Sequence, residues 1–563
     1  MPRPVGPPPR TDTPVWLRVL GFVLLLPAVL ALLWSYVLPT LSTVRNSFYR
    51  DHLAHGEGGM PSVPGEPVGV ENYERALDAG LVGHVAFALL LGLLPLVTAL
   101  LAAPLLALVA TRAGRVARLL TRAVLALPVA GHTPVALYLG WNFHRVDWET
   151  FHNHPRTGLV AVGAATTFGL VVAVAATAFL SALRGRTPVP NPGPSPDAGR
   201  VPGGAPPADR SPLPALLTVG GFLALGILAA ALQTYTLVDL VGGGRSPDAL
   251  TPLVDVVHGT FSQFFEFGPG SAVSTVLGLL LGLLGLGAAG LLLATRARIE
   301  FDGWRDAPGT SDGHRPAPVF RVLAVLGLVV LVAAYGWVIV PWLTDALPGG
   351  PGLPGDVDAV RTYVDTWLPP LPSALVGVGL AALAGFGIGA LRPLGRWSEL
   401  LLLPFAPWLF VGIGPLALAY YRRADELEQI NSFLGLIPPS WLSVPALFAF
   451  TLLFRGQHRR WRSGGGFGRA LVLPALPMFG LAVLLTWLVN AQQRLWPLLV
   501  ATDREAMPAT VLVPILAGQR MGATEHLLGL VLPLPVMLLF LLAFAALQVG
   551  YLDRLAIRVG RWT

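Results

Sequence analysis

The stretch from Gln233 to Leu281, QTYTLVDLVGGGRSPDALTPLVDVVHGTFSQFFEFGPGSAVSTVLGLLL, decides the fold of this chain. At its start, one apolar run ends in a group of polar and aromatic residues: Gln233, Tyr235 and Asp239. The chain then turns in a glycine run, Gly242–Gly244, and a second apolar run begins near Ser271. Three aromatic residues precede that second run: Phe264, Phe265 and Phe267. This pattern predicts two apolar helices joined by an ordered connection near a membrane face.

The composition indicates a protein that crosses a membrane many times. Hydrophobic residues make up 54% of the 563 residues and charged residues only 12%, and the mean hydropathy is +0.65. Such values are typical of polytopic membrane proteins. The chain contains no cysteine, which excludes disulfides and thiolate metal sites. It also contains no lysine, which excludes a phosphate-binding glycine loop that ends in lysine.

Twelve apolar runs are long enough to count as candidate spans, because about 20 residues cross the hydrocarbon region as a helix. They predict an all-α polytopic membrane protein with about twelve transmembrane helices in two halves of six spans. The runs are 16–38, 84–110, 119–143, 158–183, 213–238, 271–295, 319–344, 371–391, 399–420, 440–454, 471–493 and 526–550.

The distribution of charge predicts the orientation. If both termini are cytoplasmic, the inside segments and adjoining span ends carry 26 arginines and 9 acidic residues. The outside segments then carry 12 arginines and 22 acidic residues. Because basic residues are enriched in cytoplasmic loops, we expect a multi-pass protein of the cytoplasmic (inner) membrane with both termini in the cytoplasm.

Short motifs in the first half resemble a known family. The first external loop contains NSFYR at 46–50 and VGVENYERAL at 68–77, and the sixth span begins with Phe267, Gly268 and Ala272. These pieces resemble the larger permease subunit of maltose-type carbohydrate ABC importers. Read from the residues alone, the Glu71–Tyr73 segment predicts the start of a short interfacial helix.

The second half resembles the smaller permease subunit of the same importers. The similarity lies in an Asn-x-x-Leu-Gly-Leu phrase at 431–436 and in the run TWLVNAQQRLWPLLVATD at 486–503. Spacings of three residues predict that four side chains of that run share one helix face: Trp487, Asn490, Gln493 and Trp496. Aromatic planes with amide groups suit sugars, so we expect these residues, with Gln233, Tyr235 and Asp239, to form a substrate pathway. The alternative is an interhelical polar contact at the membrane edge.

The chain departs from the family at the two cytoplasmic loops that dock ATPase subunits. The loop 184–212 holds nine prolines in 29 residues, and proline disrupts helices, so a disordered linker is expected there. In the loop 455–474, Arg455 stands where the family has glutamate. A basic helix over 455–463 is still possible, and its candidate ATPase-docking residues are Arg455, Gln457, Arg459, Arg460 and Trp461.

The resemblance therefore implies a fused permease without enzymatic activity or a cofactor of its own. ATP would be hydrolysed by cytoplasmic ABC ATPase partners, and an extracytoplasmic solute-binding protein would deliver the solute; the lipid bilayer is the other partner, and no nucleic acid is expected. The predicted divisions are a loose N-terminus (1–15), a first permease half (16–295) containing the linker, a connector (296–318) and a second half (319–563).

Two other functions stay open. One is a degenerate permease that acts as a membrane scaffold or signalling partner, which the missing docking motifs favour. The other is a secondary transporter, which needs an ionisable coupling group inside the membrane. His132, between Pro128 and Pro134 of a third span that these prolines should break, is the candidate for that role.

Overall fold

The computed structural model describes residues 14–50, 65–144, 146, 151, 153–184, 211–242, 249–260, 267–301, 317–346, 357–519 and 527–560. Several predicted features lie outside these residues. They are residues 1–13 of the N-terminus, 185–210 of the linker and 302–316 of the connector, together with Gly243, Gly244, Phe264 and Phe265.

The first part of the chain forms nine helices and three strands among the described residues. They are α1 Val15–Asn46, β1 Tyr49–Arg50, β2 Glu66–Pro67, α2 Glu71–Asp78, α3 Leu81–Arg112, α4 Arg115–Ala130, α5 Pro134–His144, α6 Pro155–Arg184, α7 Leu213–Leu232, α8 Pro252–Val257, α9 Phe267–Ala294 and β3 Arg298–Phe301.

The later part continues with ten helices, one long 3-10 segment and one strand. They are α10 Pro318–Ala346, α11 Ala359–Trp367, α12 Pro370–Phe386, the 3-10 segment Gly395–Trp408, α13 Ala417–Glu426, α14 Val444–Arg462, α15 Gly468–Ala491, α16 Leu495–Val500, α17 Ala509–Gln519, α18 Leu528–Val531, α19 Leu534–Gly550 and β4 Leu555–Arg558.

The chain is an all-α polytopic membrane protein. In the described residues, nine helices are long and apolar enough to cross a membrane, or ten when α4 and α5 count as one broken span. Helices suit a bilayer because they pair their own backbone donors and acceptors, which lipid cannot do. The axes of α4 and α5 differ by 76°, so the predicted break in the third span between Pro128 and Pro134 is confirmed.

Two of the twelve expected spans differ from simple apolar α-helices. The predicted span 399–420 begins within the 3-10 segment, which contains Pro404 and Pro407, and ends in α13. Proline cannot donate to an α-helical ladder and clashes with the preceding turn, so a run that contains two of them departs from α geometry. The predicted span 440–454 is the first part of α14, whose last turn carries three arginines: Arg459, Arg460 and Arg462.

A close backbone approach fixes the 3-10 segment against α9. At Gly285 of α9, a Cβ atom would overlap the carbonyl oxygen of Ala406. The absence of a side chain at Gly285 therefore allows the irregular segment to lie directly on the helix.

The predicted start of a helix at Glu71 is confirmed, because α2 runs from Glu71 to Asp78. Its Asn72 donates side-chain hydrogen bonds to the carbonyl oxygens of Ser47 and Tyr49, each 2.9 Å long. The Tyr73 hydroxyl lies 2.7 Å from the Ser47 hydroxyl. The segments 46–50 and 68–77 therefore contact each other through the side chains of Asn72 and Tyr73.

Two small antiparallel sheets were not predicted. One pairs β1 with β2, and the other pairs β3 with β4. In the second sheet Arg298 lies opposite Arg558 and Phe301 opposite Leu555, so the segment after α9 is joined to the segment after α19. The segment 296–318 was expected to be only a connector between the two halves, but its first residues pair with a strand near the end of the chain.

The long helices pack in a repeated scheme. Helix α1 packs on α12, while α10 packs on α3 and its neighbours. The 3-10 segment packs on α9, while α19 packs on α4. Helix α3 contacts α6 and α7, and α12 contacts α14 and α15 in the same way.

Candidate polar sites at the two ends of the bundle

A buried ion pair joins the segments that follow α7 and α15. Arg494 Nε lies 2.8 Å from Asp239 Oδ2, and these side chains are only 8% and 13% exposed. His258 Nε2 lies 3.7 Å from Asp239 Oδ1, and Arg494 also donates to the carbonyl oxygen of Thr510 at 3.2 Å. Asp239, one of the predicted pathway residues, is therefore the contact between two distant parts of the chain.

The surroundings of Asp239 favour its ionised form. Burial raises the pKa of Asp239, but the hydrogen bonds and positive charges of His258 and Arg494 outweigh burial and hold this pKa below that of an ordinary aspartate. Sequence reasoning missed Arg494. The available signal was an isolated arginine at the end of a long apolar run, and an ionisable residue in such a position marks a functional site by default.

The other predicted residues of the first half have structural contacts. The Gln233 side chain donates to the carbonyl oxygen of Phe410 and accepts from the backbone N–H of Gly412, each at 2.8 Å. Both partners follow the 3-10 segment, where the backbone lacks regular helical pairing. Tyr235 is buried, with 4% of its surface exposed.

Three of the four predicted residues in the second half line one small cavity. Asn490, Gln493 and Trp496 surround a volume of about 10 Å³, which is large enough for about one water molecule. Trp496 also donates to the carbonyl oxygen of Gly435 at 2.9 Å. Gln233 and Tyr235 do not line this cavity, so the structure does not gather all predicted pathway residues in one place.

The prediction of one shared helix face is wrong. Helix α15 ends at Ala491, and Trp496 belongs to the next helix, α16, so helical spacing does not relate them. Trp487 lies apart from the small cavity. Its indole N–H donates to the carbonyl oxygen of Trp367 at 2.7 Å, and the two rings meet edge to face.

At the other end of the bundle, the predicted basic docking helix is the last part of α14. Arg455 Nε lies 3.1 Å from Glu399 Oε1, and Arg455 also donates to the carbonyl oxygen of Ala297 at 3.3 Å. Arg460 donates to the carbonyl oxygen of Phe301 at 2.9 Å, and Gln457 is only 2% exposed. These three candidate docking residues therefore contact the chain itself.

Strand β3 covers one side of this helix closely. A Cβ atom at Gly456 would overlap the carbonyl oxygen of Ile299, so the backbones of α14 and β3 lie in direct contact. Arg459 is exposed on α14. Trp461 is half-buried, and its ring contacts Phe467 at a centroid distance of 6.5 Å. Of the predicted docking residues, Arg459 and Arg460 are exposed.

The described residues thus define a helical, multi-pass membrane protein with a buried ion pair at one end of its bundle and a basic helix at the other. No family model, no curated protein and no solved structure matches this chain.

Proposed function

We propose that the chain is the fused permease of an ABC-type importer for a sugar or a related polar solute, powered by separate ATPase subunits. The observation that carries this proposal is the repeated packing scheme. If six spans are assigned to each half, every helix pair in that scheme has a counterpart six spans later. The motif resemblance of each half to one permease subunit points in the same direction.

The first helix of each half packs against the other half in this assignment. Helix α1 lies on α12, and α10 lies on α3. The third span of each half is also the irregular one: the bent pair α4–α5 and the 3-10 segment. Such a reciprocal exchange is expected when two subunits of similar fold have been joined into one chain.

Polar contacts support the proposed twelve-span topology, because each of them joins two segments that the topology assigns to the same side of the membrane. Pairs between segments assigned outside include Asp239–Arg494, Arg361–Glu505 and Asn431–Thr502. Pairs between segments assigned inside include Arg118–Asp553 and Arg455–Glu399. In each case the charge-based orientation assigns both partners to the same face of the membrane.

The two irregular spans connect the two faces in this topology. Glu399 belongs to the inside contacts, whereas the Tyr420 hydroxyl donates to the carbonyl oxygen of Ser35 in the outside group. The chain between Glu399 and Tyr420 consists of the rest of the 3-10 segment, an irregular stretch and the first turn of α13.

Asp239 and Arg494 have the position of an outer gate in this proposal. The pair joins the outer ends of α7 and α15, one from each half, and its partners are nearly buried. The solute passes between the halves, so the pair must separate during entry. Asn490 and Gln493 lie beside the pair, where their amides can bind hydroxyl groups of a passing solute.

Uptake by reconstituted complexes tests this function. Proteoliposomes would contain the chain, an ABC ATPase and a solute-binding protein encoded beside it, and the uptake of labelled oligosaccharides would be measured with and without ATP. We expect ATP-dependent uptake that falls about five-fold in Asn490→Ala or Gln493→Ala, because each removes about one hydrogen bond worth about 1 kcal/mol.

Asn46→Ala is the matched control. Asn46 is a half-buried amide on the outer side whose side chain lies 3.5 Å from Ser42 Oγ, away from the pair. Uptake that needs neither ATP nor the ATPase would contradict the importer assignment. Equal uptake by all three variants would remove Asn490 and Gln493 from the pathway.

One observation favours the second candidate, a permease-like scaffold without ATPase coupling. Strand β3 occupies a side of α14 that an ATPase would otherwise contact, through the hydrogen bonds from Arg455 and Arg460. Co-purification separates the two candidates. A stable complex with the neighbouring ATPase supports the importer, and its absence together with a stable complex with another membrane protein supports the scaffold.

A further inference from the structure

A large basic cavity lies beside the inner end of α14. Its volume is about 840 Å³, and it opens between the end of α9, the loop after α12 and α14. Its charged lining consists of Arg296, Arg392, Arg396, Arg455, Arg459 and Glu399. Five guanidinium groups against one carboxylate give this lining a net charge of +4.

Glu399 orients two of the arginines and leaves the cavity positive. Arg392 and Arg455 each lie 3.1 Å from Glu399 Oε1, and the Glu399 side chain is only 8% exposed. Arg296 and Arg396 are exposed at the edge of the cavity. An anion that enters therefore meets oriented guanidinium groups, which bind phosphate oxygens through paired hydrogen bonds.

The backbone around the cavity adopts unusual conformations. Arg296 has φ 51° and Arg392 has φ 52°, two of the four non-glycine residues with positive φ in the described part of the chain. L-residues other than glycine rarely adopt this left-handed region. Strained backbone of this kind concentrates at ligand-binding sites, where the surrounding structure maintains it.

The opening of the cavity is continuous with an apolar surface. Trp397 is 55% exposed, Leu394 45% and Leu400 41%, and the Arg396 guanidinium lies 5.2 Å from the Trp397 ring centroid. Tryptophan is enriched at the membrane–water boundary. Arginine clusters at that boundary attract anionic lipids. The cavity therefore combines a charged interior with an apolar edge at the depth of lipid headgroups.

We propose that this cavity binds the phosphate-bearing headgroup of an anionic phospholipid from the adjacent leaflet. The headgroup phosphate contacts the arginines, and the acyl chains lie along Trp397, Leu394 and Leu400. The volume falls in the usual range for ligand pockets of about 300–1,000 Å³. The proposal requires only that the chain resides in a membrane and does not depend on the solute, although Arg455 and Arg459 of the lining are also candidate ATPase-docking residues.

Binding of a short-chain lipid to the purified full-length chain tests this site. Dioctanoyl phosphatidylglycerol would be titrated into the protein in a neutral detergent, and bound lipid would be counted by native mass spectrometry alongside the melting temperature. We expect saturable binding that becomes about thirty-fold weaker in the double variant Arg296→Gln/Arg396→Gln, because two phosphate-facing charges are lost.

Two further variants separate local binding from general effects. Arg18→Gln/Arg321→Gln removes the same charge from exposed arginines on α1 and α10 outside the cavity, and it should bind the lipid as the wild type does. Arg296→Lys/Arg396→Lys keeps the charge and should recover most of the affinity. Equal loss in both glutamine pairs, or no loss in Arg296→Gln/Arg396→Gln, would overturn the site.

The source of the phosphate is tested by three other ligands. Dioctanoyl phosphatidylcholine, glycerol 3-phosphate and inorganic phosphate should each bind far more weakly than dioctanoyl phosphatidylglycerol at the same concentration. If either soluble phosphate binds as tightly as the anionic lipid, the cavity is a site for a free anion and the lipid assignment is wrong.

Discussion

Asp553 compensates a buried positive charge, so its neutralisation should destabilise the chain more than the loss of a surface ion pair. Its carboxylate oxygens lie 2.8 Å from Arg118 Nε, 3.1 Å from Arg122 Nε and 3.2 Å from an Arg184 terminal nitrogen. Arg122 has no exposed surface. Its two terminal nitrogens donate to Gln548 and Ser181 at 3.3 and 3.4 Å, neither of which carries charge.

The magnitude follows from this burial. Asp553→Asn leaves Arg122 without a counter-charge, and removing one partner of a buried pair costs about 3–5 kcal/mol. Arg118→Gln leaves Asp553 paired with Arg122 and Arg184, so it should cost less than Asp553→Asn. Arg122→Gln/Asp553→Asn removes both buried charges and should be more stable than Asp553→Asn alone.

The assay is unfolding of the purified chain in mixed micelles of neutral detergent and SDS, which compares the free energies of unfolding of the wild type, Asp553→Asn, Arg118→Gln, Arg122→Gln and the double variant. Asp425→Asn, at an exposed acid of α13, controls for the loss of a carboxylate as such. Two results would refute the compensation by Asp553. One is an Asp553→Asn variant with the same free energy of unfolding as the wild type. The other is a double variant that loses as much free energy of unfolding as the two single variants together.

The remaining predictions concern one backbone contact and one pH dependence. Gly456→Ala forces β3 away from α14 and should cost about 1–3 kcal/mol, as overpacking does. Gly480→Ala, which meets no atom within 4 Å, should not destabilise the chain in the same assay. Because its folded-state pKa is lowered, Asp239 adds stability at neutral pH that is lost as the pH falls below about 4. The melting temperature of the wild type should exceed that of Asp239→Asn at pH 7, and this difference should shrink at pH 3; a difference that stays constant would contradict the lowered pKa.

Much of the architecture could be predicted because membrane helices are specified locally. An apolar run of about 20 residues is sufficient to predict a span, and proline pairs such as Pro128 and Pro134 mark a break. The 3-10 conformation at 395–408 could not be predicted in this way. It depends on α9, where Gly285 allows the backbone of Ala406 to approach. The β3–β4 sheet joins segments more than 250 residues apart, and no local pattern identifies such a pairing.

The candidate sites show the same division between local and distant information. The polar group at the end of an apolar run made Asp239 a candidate, and helical spacing did the same for the amides of Asn490 and Gln493. The spacing assigned the wrong geometry, because α15 ends at Ala491. The partner of Asp239 is Arg494, which is 255 residues away in the chain. Residue type and spacing therefore identify candidate groups, and only the packing of the two parts of the chain determines which groups meet.

Different contacts hold the two ends of the bundle together, and this difference affects how a permease of this kind would open. Among the described residues, the contacts between the proposed halves at the outer end include the ion pair Asp239–Arg494 and the hydrogen bonds from Gln233 to Phe410 and from Tyr420 to Ser35. The inner end has the β3–β4 sheet and the arginines around Asp553. Opening the outer end breaks this ion pair and these side-chain hydrogen bonds, whereas opening the inner end disrupts a backbone ladder and exposes the buried Arg122. We therefore infer that opening the outer end costs less free energy than opening the inner end. In an importer, ATP binding by the partner subunits would supply the free energy for opening the inner end.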